Sequence, residues 1–160
     1  MYLYGLGGIA LPRFLFYEED TVDKLQVIQT AEKNGGKERR EAIEKLMIYA
    51  RTKGCNIEAG GGRIGGINFR YGGIGYAIMD LSTEGDVKLY AQPHPNKTAP
   101  ESLSQKINKY LENNEALELK SHPINCHGLL TKKVEEIPRQ ALYDFLDLAI
   151  DAIKEAYYKD

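Results

Sequence analysis

Apolar positions recur along this chain with two different periods, and the switch between them divides it. From 20 to 53 the spacing is helical. Val22, Leu25, Ile28 and Ala31 fall on one stripe, and Ala42, Ile43, Leu46, Met47 and Ala50 on a second. Asp20 or Thr21 is a capping residue, Gly35-Gly36 separates the two stripes, and Gly54 ends the second. The pattern predicts a helical hairpin over 20–53. From 74 onward strict alternation takes over. Ala77, Met79 and Leu81 share one face of a strand over 74–81, with Tyr76 and Ile78 on the other. Val87, Leu89 and Ala91 alternate with Lys88 and Tyr90 over 86–92. The connection Ser82-Thr83-Glu84-Gly85 is short, so these strands pair antiparallel. Ile64, Ile67 and Phe69, lying among glycines, give a weaker strand signal, and 124–134 holds a further strand.

Helical spacing returns twice. Pro100 opens a helix at its first position, with Leu103, Ile107, Tyr110 and Leu111 buried and Asn113-Asn114 at its end. Pro138 opens a longer one, with Leu142, Phe145, Leu146, Ala149, Ile150, Ile153 and Tyr157 on a continuous apolar face. The expected fold is α+β: an antiparallel sheet of about four strands, packed by the Pro100 and C-terminal helices and preceded by the helical hairpin. The 160 residues fit a single domain, with an N-terminal arm over 1–16 and the sheet with its two helices over 55–160.

Charge and cysteine content narrow the class. A formal net charge of -2 argues against a strongly basic nucleic-acid coat but leaves room for a local basic patch. Cys55 and Cys126 are not clustered, the pattern of a cytoplasmic chain with reduced thiols used as small hydrophobes. No apolar run reaches the roughly 20 residues of a membrane span. The first 20 residues are apolar but are punctuated by Gly5, Gly7, Gly8 and Pro12 and lack a basic leader. They read as an extended arm that packs on the domain or on a partner, not as a signal peptide.

Nine glycines fall between Gly54 and Gly75. The run GGGRIGGINFRYGGIG fits neither the dinucleotide fingerprint nor a phosphate-binding loop, because no strand-turn-helix context surrounds it. It does fit a flexible β-wing. Arg63, Arg70 and Tyr71 sit in it, no acidic residue lies between Glu58 and Asp80, and Lys88 follows. Such a cationic, aromatic-bearing hairpin contacts phosphates and stacks on bases.

Other chemistry is thinner. His122 and His127 flank Cys126, and Cys55 and His94 are further soft ligands, but the spacing matches no zinc signature, so no metal or other cofactor is expected. Asp86-Val87-Lys88 and Glu118-Leu119-Lys120 each match the acidic-x-Lys pattern of metal-dependent nucleases, with Asp80 as an upstream acid. No nucleophile motif is present. The Glu/Lys run from Glu32 to Lys45 reads as a solvated helix face.

The pieces Gly75-Tyr76-Ala77, Val87-Lys88-Leu89-Tyr90, His127-Gly128 leading into 129–134, and Ile153-Lys154-Glu155-Ala156-Tyr157 carry a resemblance. They are similar to the MmcQ/YjbR family of small bacterial α+β domains and to the family of small domains named predicted transport protein. The likeness covers roughly 43–158. It implies a double-wing arrangement of the kind that binds nucleic acid and supplies no catalytic residues. The tryptophan common in the MmcQ/YjbR strand is absent here.

Three functions follow as expectations. The first is a non-enzymatic accessory or binding module that contacts nucleic acid through Arg63, Arg70, Tyr71 and Lys88. The second is a protein-interaction or small-ligand domain that oligomerises through the arm and an open sheet face. The third is a metal-dependent nuclease using Asp80, Glu118 and Lys120.

Overall fold

Three helices and a five-stranded antiparallel sheet make up the fold in a computed structural model that describes residues 22–60, 65–71, 76–91, 100–120 and 127–157. Helix α1 spans Val22–Thr52. The break expected at Gly35-Gly36 is present, but it is a single residue. Gly36 sits at φ 83° and ψ -175°, a left-handed backbone that glycine adopts without strain, and the two helical segments join there as one kinked element. The strands are β1 (Cys55–Ala59), β2 (Gly66–Tyr71), β3 (Tyr76–Ser82), β4 (Val87–Tyr90) and β5 (His127–Leu129). Helices α2 (Glu101–Glu112) and α3 (Arg139–Tyr157) precede and follow β5. Pro100 is the cap of α2, one residue before its first helical position.

The strand order is β1-β2-β3-β4-β5, so every strand lies beside its neighbour in sequence. Five strands replace the expected four because β1 alternates over only five residues, directly after a helix end. A bulge between Phe69 and Arg70 shifts the β2–β3 register: Phe69 pairs with Met79 and Arg70 with Ala77, which leaves Ile78 as the extra residue. An isolated bridge, Leu119 with Leu130, extends the pairing just after β5.

One face of this sheet holds the core. Cys55, Ile57, Ile67, Phe69, Met79, Leu81, Val87 and Leu89 all point to it and are buried. Ile43, Leu46, Met47 and Ala50 of α1 and Phe145, Leu146, Ala149 and Ile153 of α3 meet them in a single cluster. Burying a side chain such as Phe69 or Phe145 completely is worth about 2 kcal/mol, so this cluster dominates stability. α1 lies chiefly on β1, while α2 packs chiefly on α3. That corrects the expectation that the Pro100 helix would cover the sheet; α1 takes its place. Among the described residues no helix is long and apolar enough to cross a membrane.

Candidate binding face of the sheet

The face opposite the core is polar, and the register fixes its layout. Antiparallel partners point to the same side. Glu58 pairs with Asn68, Asn68 with Asp80, and Asp80 with Lys88, so these four form one row across β1 to β4. The adjacent row begins with Asn56 and Arg70. Glu58, Asn56 and Lys88 are exposed, and Asn68, Arg70 and Asp80 are partly buried. The Arg70 Nε lies 3.4 Å from a Glu58 carboxylate oxygen. The Tyr90 hydroxyl donates to Asp80 Oδ2 at 2.5 Å.

This layout separates the residues expected to act together. Arg70 and Lys88 share the polar face, but Tyr71 follows Arg70 directly in β2 and so faces the other side, paired with the buried Cys55 and packed on the core. Arg63 lies outside the described residues. The sequence between Glu58 and Asp80 is free of acids, yet pairing brings those two carboxylates beside Arg70 and Lys88, so the face alternates in sign.

The residues of the nuclease reading lie apart. Asp80 is on the third strand, whereas Glu118 and Lys120 flank the Leu119–Leu130 bridge beyond β5. Three strand spacings, roughly 14 Å, lie between. The Glu118 carboxylate accepts from the Thr131 hydroxyl at 3.3 Å. Asp86 is held by Lys133 Nζ at 2.7 Å. Among the described residues no group of three His, Cys, Asp or Glu side chains is placed to hold a metal ion. His94, His122 and Cys126, and the side chain of His127, lie outside what is described. A shallow cleft of about 470 Å³ opens at the end of α2, lined by Leu111, Leu117 and Leu119 and by Glu112, Glu115 and Glu118.

Two polar clusters have no signature in the sequence. Arg39 belongs to the run assigned to a solvated face, yet it is buried. Its Nε and Nη2 donate to the two carboxylate oxygens of Glu135 at 3.0 and 2.9 Å, and Nη1 donates to the Thr83 carbonyl at 3.4 Å. The guanidinium lies against Gly35 and Gly85, where a Cβ would collide with it. The hydrogen bond to Glu135, opposed by burial and aided by the nearby carboxylates, raises the Arg39 pKa. Burial pushes the Glu135 carboxyl up, but the Arg39 hydrogen bond and charge outweigh it and hold it below the usual range. The node ties α1 to the β3–β4 turn and to the short 3-10 turn Val134–Glu136, whose Val134 N–H donates to the Gly85 carbonyl at 2.8 Å.

The second cluster joins α1 to α3. The Tyr49 and Tyr143 rings stack with centroids 4.0 Å apart. The Tyr49 hydroxyl donates to Asp147 at 2.7 Å, and Lys53 Nζ lies 3.6 Å from the same carboxylate. Burial foremost, then the hydrogen bond and charge of Asp147, push the Tyr49 hydroxyl up to about 12. Both clusters brace the helices against the core and each other, on the side away from the polar face. Comparison with protein-family models, with curated proteins and with solved structures found no match for this chain.

Proposed function

We propose that the protein is a non-enzymatic binding module whose working surface is the polar face of the sheet, and that its partner is a protein. The carrying observation is the sign alternation on that face: Glu58 and Asp80 stand among Arg70 and Lys88. Phosphate backbones are recognised by an excess of cations. A face on which two carboxylates offset two cations suits the mixed polar and charged groups of a protein surface better. Helices α1 and α3 meet the sheet on its other side, and the two ends of this row, Glu58 and Lys88, are exposed.

Site-specific photocrosslinking in cells tests the reading. A crosslinking residue in place of Lys88 is compared with one in place of Lys45, which is exposed on α1. Protein adducts formed at 88 and not at 45 are expected. Adducts to RNA or DNA at 88, or equal yields at both positions, would overturn it.

A further inference from the structure

The polar part of this row, Glu58–Asn68–Asp80–Lys88, runs from an anion on β1 to a cation on β4, and the apolar Leu129 on β5 follows Lys88. Its ends are its exposed members: the Glu58 side chain is 57% exposed, and Lys88 is exposed as well. Three strand spacings, roughly 14 Å, keep Glu58 and Lys88 from meeting within one chain. A row of this kind is complementary to its own reversal.

We infer that the partner is a second copy of this chain, docked face to face about a two-fold axis that runs parallel to the strands between β2 and β3. This inference rests on the polar face being the binding surface. The operation turns the sheet over and reverses its strand order, while each residue keeps its height along the strands. β1 then lies over the β4 of the other copy and β2 over its β3. Glu58 meets the partner subunit's Lys88, and Lys88 meets the partner subunit's Glu58. Asn68 stands over the partner subunit's Asp80, whose Oδ1 is buried and whose Oδ2 accepts from Tyr90, so the middle of the row adds contact and no new hydrogen bond. The contact is isologous, the commonest way for two identical chains to close. Facing sheets pack within about 30° of alignment, which keeps the row over its counterpart. Asp80 and Tyr90 keep their hydrogen bond throughout, because the docking is carried by the two ends of the row.

Size and chemistry set the strength. Four strands of each copy overlap about this axis, with β5 outside it, and at about 4.8 Å per spacing they make a face roughly 14 Å wide. That is narrower than the face needed for the roughly 800 Å² per partner of a standard interface, so the dimer is weak. Its charged pairs are near solvent, and salt weakens it, since the screening length is about 8 Å at physiological ionic strength.

Sedimentation velocity over a concentration series, at low and physiological salt, tests this on the full chain. The variants are Glu58→Lys, Lys88→Glu and the double exchange, each checked for fold by circular dichroism. The wild type is expected to dimerise with increasing concentration, more strongly at low salt. Each single reversal turns two attractions into two repulsions and weakens the dimer about tenfold. The double exchange restores it to within about threefold, because the swapped charges at positions 58 and 88 again oppose each other across the interface. Restoration has no explanation within one chain, where each single reversal leaves its own local repulsion in place. A wild type that stays monomeric throughout, or a double exchange no tighter than the singles, overturns the inference. A monomeric wild type that still gives protein adducts at position 88 removes the second copy and leaves the binding-face reading standing.

Discussion

Arg39 grips both carboxylate oxygens of Glu135, 96 residues away along the chain, and turns its remaining edge to the Thr83 carbonyl. Arg39 is buried and Glu135 is partly buried: 9% of the Arg39 side chain and 18% of the Glu135 side chain are exposed. Removing Arg39 leaves a partly buried carboxylate without its counter-charge. Arg39→Met is therefore expected to lower stability by about 2 kcal/mol in urea unfolding. A double variant with Glu135→Leu is expected to be more stable than either single, since an apolar pair leaves no orphaned charge.

The same pair gives the fold an acid-side dependence. Glu135 releases its proton more readily when folded than its ordinary value of 4.5 allows, so between the two values the unfolded chain binds more protons. Stability from this group is complete above about pH 4.5 and is lost as pH falls through the folded value. Urea midpoints measured from neutral pH down into the acid range are expected to fall less steeply for Glu135→Gln than for wild type.

Gly85 stands at φ 90° with Arg39 Nε only 2.8 Å from where a Cβ would be. Gly85→Ala adds backbone strain and pushes the guanidinium off Glu135, at a cost of about 2 kcal/mol. The substitution is expected to be non-additive with Arg39→Met, because the second change removes the group with which the new methyl collides. Thermal melts of the two singles and the double measure the coupling.

At the alkaline end Tyr49 takes over. Its hydroxyl is held protonated up to about 12, against an ordinary value of 10, so the folded chain keeps a proton that the unfolded one gives up. The contribution is complete below about pH 10 and is lost as pH rises toward 12. Tyr49→Phe is expected to flatten the fall in stability across that window.

Cys55 is 7% exposed on the core face of β1, and burial pushes its thiol up to about 12. Maleimide labelling followed by mass spectrometry is expected to leave Cys55 unmodified in the native chain and to modify it fully in denaturant.

Much of this architecture is written in local periodicity. The stripes at Ile43–Ala50 and Leu142–Ile153 and the alternation through Met79, Leu81, Val87 and Leu89 are all core positions in the structure. Strand β1 is harder to read because its alternation rests on two apolar residues, Cys55 and Ile57, and gains meaning only from β2 beside it. Arg39 misleads for a different reason. A charged residue among charged neighbours looks solvated until the chain folds Thr83 and Glu135 onto it, and nothing within a helical turn announces either. The separation of Arg70 from Tyr71 is legible: adjacent residues of a strand point to opposite faces. The neutralising role of Glu58 is not, since it depends on which strand pairs with which.

Strand order that follows sequence order also sets what each pairing costs in chain entropy. Each of the first three strand pairings closes a short loop, and such loops cost little entropy to close. The sheet from β1 to β4 is thus a series of local events that need no distant segment. The entropically demanding closures are the return of β5 to β4 and the seating of the 3-10 turn beneath Arg39, which bring together residues far apart in the chain. The meander is the part of this fold held by near-neighbour closures, and the Arg39–Glu135 pair, 96 residues apart, closes one of its longest loops.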